Sequence, residues 1–153
     1  MKIRPIEFRD IEAILAVQQA SPEVAQWTAP DYARVAAGDM AGWVTEENDA
    51  VTGFLTARRA ATDLEILNFA VRAASRRRGL GSSLLRQALA WGAAFGAEKA
   101  LLEVRASNHA ALRFYERHGF REAGRRPRYY AAPVEDALLL TAGIASLAGN
   151  MQS

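Results

Sequence analysis

The stretch SRRRGLGSSLL, residues 75–85, places three arginines ahead of two glycines and two serines, just before an apolar run. A helix leaves its first N–H groups without intrahelical partners and carries about half a positive charge at that end. A diphosphate fits such a terminus and accepts those hydrogen bonds, provided that no side chain blocks its approach. Gly79 and Gly81 remove the obstruction and reach backbone angles that other residues resist. Ser82 adds a hydroxyl at the first turn. Arg76, Arg77 and Arg78 attract the anion at long range and meet phosphate oxygens where they reach. The same residues also suit a plain solvated turn before a helix. Other phosphate motifs fit less well: Gly-Lys-Ser/Thr is absent, which excludes a Walker loop, and Leu84 stands where a dinucleotide fingerprint has its third glycine. A single-stranded nucleic-acid patch interleaves aromatics with its arginines, and residues 72–90 contain none.

The elements that must position this stretch follow from periodicity. KIRPIEF reads as a first strand, at a sheet edge because Pro5 lacks an N–H. Asp10 is expected to cap a helix through IEAILAVQQA, and a second short helix, stopped at Gly38, follows the loop SPEVAQWTAP. AGWVTE and VTGFLTARR form a hairpin around Glu47-Asn48-Asp49. DLEILNFAVRA is a strand with Leu64, Ile66, Asn68 and Ala70 on one face and Glu65, Leu67, Phe69 and Val71 on the other. A helix from near Gly81 buries Leu84, Leu85, Ala88, Leu89, Gly92 and Phe95. KALLEVRA is a strand whose Leu101, Glu103 and Arg105 share one side. SNHAALRFYERHGF is a helix capped by Ser107 or Asn108 and ended by Gly119, and two antiparallel strands close the chain. This order predicts a mixed sheet covered by helices, with a strand–helix–strand unit at its centre.

A chain of 153 residues is most economically one domain, residues 1–153, able to bury a real core. The net charge of +2 hides an asymmetry: residues 1–57 hold four basic and nine acidic side chains, net −5, and residues 58–153 hold fifteen and eight, net +7. An anionic ligand bound by the second half explains that split, as does a nucleic-acid surface. The lack of cysteine excludes disulfides, thiolate zinc sites and a cysteine nucleophile. Neither a signal-peptide core nor a run of about 20 apolar residues occurs, so a cytoplasmic protein with no membrane partner is expected.

RRRGLG has the form Arg/Gln-x-x-Gly-x-Gly/Ala and resembles the acyl-CoA signature of the Gcn5-related N-acetyltransferases (GNAT). LEVRASNHAALRFYERHGF and RRPRYYAAPVEDALLL are similar to segments of one branch, the bacterial ribosomal-protein-alanine N-acetyltransferases. The likeness covers residues 40–141 well and the first forty loosely. It implies an α/β (α+β) GNAT fold, a mixed, mostly antiparallel central sheet of about seven strands flanked by about four helices. It implies acetyl-CoA as cosubstrate, and no metal. By position, Phe69, Ala70 and Val71 would contact the acetyl-pantetheine arm. Arg77, Arg78, Gly79, Leu80, Gly81 and Ser82 would hold the diphosphate, and Asn108 would contact the coenzyme. Glu103 would be the general base and Tyr115 the general acid. The implied acceptor is a protein N-terminus, that of a ribosomal protein, with no nucleic acid required and the enzyme a monomer or weak dimer. The Trp27-Thr28 pair resembles the family's Trp-Ser/Thr, but Gln26 replaces the usual proline in a segment expected to line the peptide groove. Glu65, Asn68, Tyr129 and Tyr130 are further groove candidates.

The implied chemistry is consistent. A peptide α-amine, with a pKa of about 7.7–8.0, is partly neutral at physiological pH, so a modest base such as Glu103 suffices; lysine, near 10.4, is far scarcer as free base. A tyrosine hydroxyl near 10 donates to a thiolate near 8.5 slightly uphill, so its placement matters more than its acidity. Structural roles compete: Glu103 could pair with Arg105 or another arginine, and Tyr115, following Ala111 and Leu112 at helical spacing, could pack in the core. Transfer to a small-molecule amine and a noncatalytic coenzyme-sensing or ribosome-binding module are the alternative functions.

Overall fold

The computed structural model describes residues 1–76, 78–131 and 133–144. Its elements follow the predicted order: β1 (Lys2–Pro5), α1 (Ile11–Gln19), α2 (Ala29–Ala36), β2 (Ala41–Glu47), β3 (Ala50–Ala60), β4 (Asp63–Val71), α3 (Leu80–Ala94), β5 (Lys99–Arg105), α4 (His109–Arg117), β6 (Arg121–Ala131) and β7 (Val134–Gly143). The strands join in the order β1-β2-β3-β4-β5-β7-β6. Only β4–β5 is parallel among the pairings β1–β2, β2–β3, β4–β5, β5–β7 and β6–β7. The result is a seven-stranded, mostly antiparallel sheet with four α-helices among the described residues. The chain divides into two compact units, Met1–Arg58 with Ile66–Ala88 and Arg59–Glu65 with Leu89–Ser153.

In the first unit, the β2–β3 hairpin turns on Asn48 and Asp49 at φ 51° and 63°. A two-residue turn whose handedness matches the strand twist needs positive φ at both positions, which Asn and Asp tolerate. Ile14, Val17, Tyr32, Val35, Val44, Phe54 and Ala70 form the core. Gly42 lets β2 pass under it, since a Cβ there would lie 2.6 Å from both Ile6 Cδ1 and Val35 Cγ1. Thr28 caps α2: its main-chain N–H donates to Asp31 Oδ2 at 2.7 Å and its hydroxyl accepts from the Asp31 N–H. Asp10 does not cap α1 with its side chain. Its carboxylate instead accepts two bonds from the Arg4 guanidinium, each 2.8 Å, and one from the Glu7 N–H at 2.8 Å. A paired carboxylate satisfied this way has no reason to turn to the helix, and it fixes the strand-to-helix corner instead.

In the second unit, Asp63, Leu64 and Glu65 of β4 pair in parallel with Lys99, Ala100 and Leu101 of β5. Leu64, Leu89, Ala100, Leu102, Phe120 and Ala137 are buried. Phe95, expected in the core, lies just past α3 and is half-buried; its ring meets Trp91 at 4.9 Å and the Arg59 guanidinium at 5.0 Å. Asn108 caps α4 and Gly119, at φ 91°, ends it. Strand β6 bulges between Arg126 and Tyr130, with Arg128 at φ 53°. Asp136 holds the bulge, accepting from the Arg128 N–H at 2.9 Å and from Arg125 at 2.7 Å.

Candidate active site

The pleat of β4 fixes which main-chain groups face outward. The Asn68 N–H donates to Thr56 Oγ1 at 3.1 Å and the Arg72 N–H to Thr52 O at 2.7 Å, so the even-numbered residues turn their polar groups toward β3. Phe69 and Val71 turn theirs to the opposite edge. The expected face alternation holds, with Leu64, Ile66, Asn68 and Ala70 buried and the residues between them half-buried. The Phe69 N–H donates to Asn68 Oδ1 at 3.2 Å, and the Val71 carbonyl accepts from Arg76 Nε at 3.0 Å. Asn68, read from sequence as a groove residue, is only 3% exposed and spends its side chain inside the first unit.

A short 3₁₀ turn, Ala73–Ser75, leads to Gly79, whose φ of 79° is costly for any residue with a Cβ, although the space around it is open. Helix α3 begins at Leu80, one residue earlier than the sequence suggested, so Gly81 and Ser82 lie in its first turn. The Ser83 N–H reaches back to Gly79 O at 3.0 Å. The amides of Leu80, Gly81 and Ser82 precede that bond and have no carbonyl four residues back within the helix. Leu80 is buried, so its main chain is what it offers a ligand. Arg78, half-exposed, donates to Glu47 Oε1 at 2.6 Å, and Arg76 Nη2 lies 3.5 Å from Ser21 Oγ and 3.9 Å from Glu23 Oε1. Arg77 lies outside the described residues.

The second unit holds Glu103, Asn108 and Tyr115. Glu103 projects from β5 with its side chain 31% exposed, and Oε1 meets Arg126 Nη2 at 3.3 Å. Arg105, the partner first considered for Glu103, instead pairs with Glu135 at 3.0 Å and lies 4.0 Å from the Tyr130 ring centroid. Hydrogen bonds from Ser107 and Arg105 hold Glu135 below the usual carboxylate range. Burial, followed by the negative charge of Glu103, pushes the Tyr130 phenol up. Tyr129, half-exposed, lies 5.2 Å from Tyr130 and 5.5 Å from the Arg126 guanidinium. Tyr115 is 6% exposed and stacks edge-on with Phe114 and Phe120 at 5.3 and 5.4 Å. Burial pushes its phenol well above the ordinary tyrosine value, so it keeps its proton across the neutral range. Asn108 Oδ1 accepts from the Ala111 N–H at 3.2 Å, which orients its amide nitrogen.

Glu103 is thus part of a cluster with Arg126, Tyr130, Arg105 and Glu135. The segments RRPRYY and VEDA carried a signal for it only as blocks, because nothing in the spacing says which arginine turns to which carboxylate. Arg78–Glu47 had no sequence signal at all.

The family model described as Acetyltransferase (GNAT) family matches residues 8–120. The chain is 29% identical over 140 residues to the putative ribosomal protein bS18-alanine N-acetyltransferase of Bacillus subtilis, covering 90% of this chain and 92% of that one. It is 28% identical over 156 residues to an N-alpha-acetyltransferase of Sulfurisphaera tokodaii, covering 92% of each. The crystal structure of the Escherichia coli ribosomal-protein-alanine N-acetyltransferase superposes with a TM-score of 0.81 at 28% identity, over 94% of this chain and 93% of that one.

Proposed function

The chain belongs to the acetyltransferase (GNAT) family, and we propose that it moves the acetyl group of acetyl-CoA onto the α-amine of a protein N-terminus, the alanine of a small-subunit ribosomal protein. One observation carries the transferase reading: a main-chain edge at Phe69 and Val71 that turns away from β3 leads through the 3₁₀ turn to Gly79 and the amides that open α3. The ribosomal acceptor rests on the names of the Bacillus and Escherichia relatives, and the broader N-terminal class also on that of the Sulfurisphaera relative.

In this reading residues 1–153 work as one transferase domain in the cytoplasm. The Phe69 carbonyl and the Val71 N–H bind the amides of the pantetheine arm, and Ala70 holds the strand by its buried methyl. The amides of Leu80, Gly81 and Ser82 bind the diphosphate, Gly79 supplies the turn, and Arg77 and Arg78 add charge. Arg78 exchanges Glu47 for phosphate as the coenzyme arrives. Asn108, its carbonyl engaged by the cap, donates from its amide nitrogen.

The amine nitrogen attacks the thioester carbonyl carbon. The proton it sheds passes to Glu103, through Oε2, because Oε1 faces Arg126. The C–S bond then breaks, and Tyr115 gives its proton to the departing sulfur and is reprotonated from solvent. A raised phenol makes that transfer more uphill than in water, so Tyr115 acts through position, donating a hydrogen bond that becomes a proton as sulfur gains charge. The net reaction yields N-acetyl peptide and free CoA. No acyl-enzyme is involved, and the chain has no cysteine to form one.

The test is a panel in which acetyl-CoA and purified protein meet peptides beginning with alanine, lysine peptides with blocked N-termini, and small amines such as polyamines. Alanine peptides should be acetylated fastest. Transfer confined to small amines would overturn the acceptor assignment, and coenzyme binding without any transfer would favour a sensor.

A further inference from the structure

The segment VEDA sets two carboxylates side by side on β7, and alternation along a strand sends them to opposite faces. Asp136 is accounted for by the β6 bulge. Glu135 turns the other way, with its side chain only 13% exposed. It accepts from Arg105 Nη1 at 3.0 Å and from both the hydroxyl and the main-chain N–H of Ser107. Arg105 balances its charge and is itself covered by the Tyr130 ring, 4.0 Å away. These bonds keep Glu135 ionised at neutral pH, so it stays an acceptor for all three donors.

Ser107 lies in the turn that joins β5 to α4. Within that turn the Asn108 N–H donates to Arg105 O and the His109 N–H to Ser107 O, each at 2.9 Å. The second bond spans two residues, and Asn108, at φ −82° and ψ 72°, has the inverse γ-turn geometry that such a bond requires. An N-cap residue ordinarily sits in extended backbone, so α4 opens from a tighter corner than most helices do. Asn108 Oδ1 is engaged by the Ala111 N–H. The direction of the Asn108 amide nitrogen therefore follows from the backbone angles of the turn. Main chain ties the turn to β7 through the Ala106 N–H and Asp136 O, 3.0 Å apart. The Glu135 carboxylate adds a side-chain grip one residue nearer to Asn108.

We propose that Glu135 is a positioning residue for the coenzyme: by fixing Ser107 in the turn before α4, it sets the direction in which Asn108 presents its amide nitrogen. The inference rests on the coenzyme reading of Asn108 and deepens it. A charged acceptor suits the task, since hydrogen bonds to a carboxylate are roughly twice as strong as those between neutral groups.

Calorimetry of acetyl-CoA binding to the full chain tests the assignment. Glu135→Gln should raise the acetyl-CoA Kd about fivefold, and Ser107→Ala, which removes the hydroxyl contact alone, about threefold. Ser107→Ala carries the test should Glu135→Gln fail to fold. Asp136→Asn disturbs the same strand from its other face and should keep Kd within about twofold of wild type. Asn108→Ser retains a capping oxygen and loses the amide nitrogen, so it should itself raise Kd about fivefold. Adding Glu135→Gln to Asn108→Ser should then change Kd by less than about twofold. A Glu135 that merely stabilised the fold would lower the melting temperature and leave Kd unmoved, which overturns the inference. Asp136→Asn weakening binding as much as Glu135→Gln overturns it too, as does an undiminished effect of Glu135→Gln in the Asn108→Ser background. An Asn108→Ser chain that binds like wild type removes Asn108 from the coenzyme site and takes the inference with it. Weakened binding in Asn108→Ser, with Glu135→Gln and Ser107→Ala unchanged, sinks the inference alone.

Discussion

Glu103 and Tyr115 occupy contrasting environments within one unit, and each makes a separate prediction. Glu103 is part-exposed and faces Arg126, while Tyr115 is enclosed by Phe114 and Phe120. Glu103→Gln should lower kcat by about a hundredfold or more and leave the acetyl-CoA KM nearly unchanged. Rate profiles should keep the limb from the acceptor α-amine near pH 8; an unchanged kcat removes Glu103 as the base. Tyr115→Phe should cost about tenfold to a hundredfold in kcat with coenzyme binding intact. Because burial raises the Tyr115 phenol, no falling limb from its ionisation is expected between neutrality and about pH 10. Full activity in the variant would return Tyr115 to a packing role. Sequence named both residues by resemblance, and it anticipated the bland alternatives as well: Glu103 does pair with an arginine, and Tyr115 does pack. Which arginine was not legible, because β6 and β5 are each paired to β7 and their contact depends on the bulge at Arg128.

Element boundaries were legible wherever local chemistry sets them. Asn48-Asp49, Gly38 and Gly119 all take the positive φ that their turns require. Asp10 misled because a good capping residue followed a strand that carries Arg4, and an ion pair with two hydrogen bonds outcompetes a cap. In the proposed function, coenzyme binding depends on the start of α3. Gly79→Ala introduces no clash, since the space is open, but forces an alanine to φ 79°. The expected result is a loss of about 1 kcal/mol in stability and an acetyl-CoA KM raised about tenfold, with the acceptor KM unaltered. Urea unfolding and initial rates measure the two effects separately, and an unaltered acetyl-CoA KM would remove this turn from the coenzyme site.

At the scale of the whole molecule, Arg78–Glu47 and Arg76–Glu23 join the acidic first 57 residues to the basic remainder, while Arg4 with Asp10 and Glu46, and Arg126 with Glu103, pair within one half. Asp10 and Glu46 sit below the usual carboxylate range: burial opposes this for Asp10, but its bonds to Arg4 and the Glu7 N–H prevail, and the Arg4 hydrogen bond dominates for Glu46. A carboxylate depressed in the folded state stabilises it above the unfolded value, near pH 4, and loses that contribution as pH falls further. Stability should therefore hold through the neutral range and fall below about pH 4. Asp10→Asn should cost about 2–3 kcal/mol at neutral pH and show a shallower acid decline, as read by urea unfolding at several pH values. The order of elements and the family were legible from the chain; the strand order in the sheet, with β7 between β5 and β6, was not, and neither was the acceptor. The most direct test of the central claim is fragment mass spectrometry of a peptide that carries an N-terminal alanine and an internal lysine, after incubation with acetyl-CoA and the purified chain. A single acetyl group on the alanine nitrogen is the predicted result, and an acetyl on the lysine side chain, or none on either amine, would contradict it.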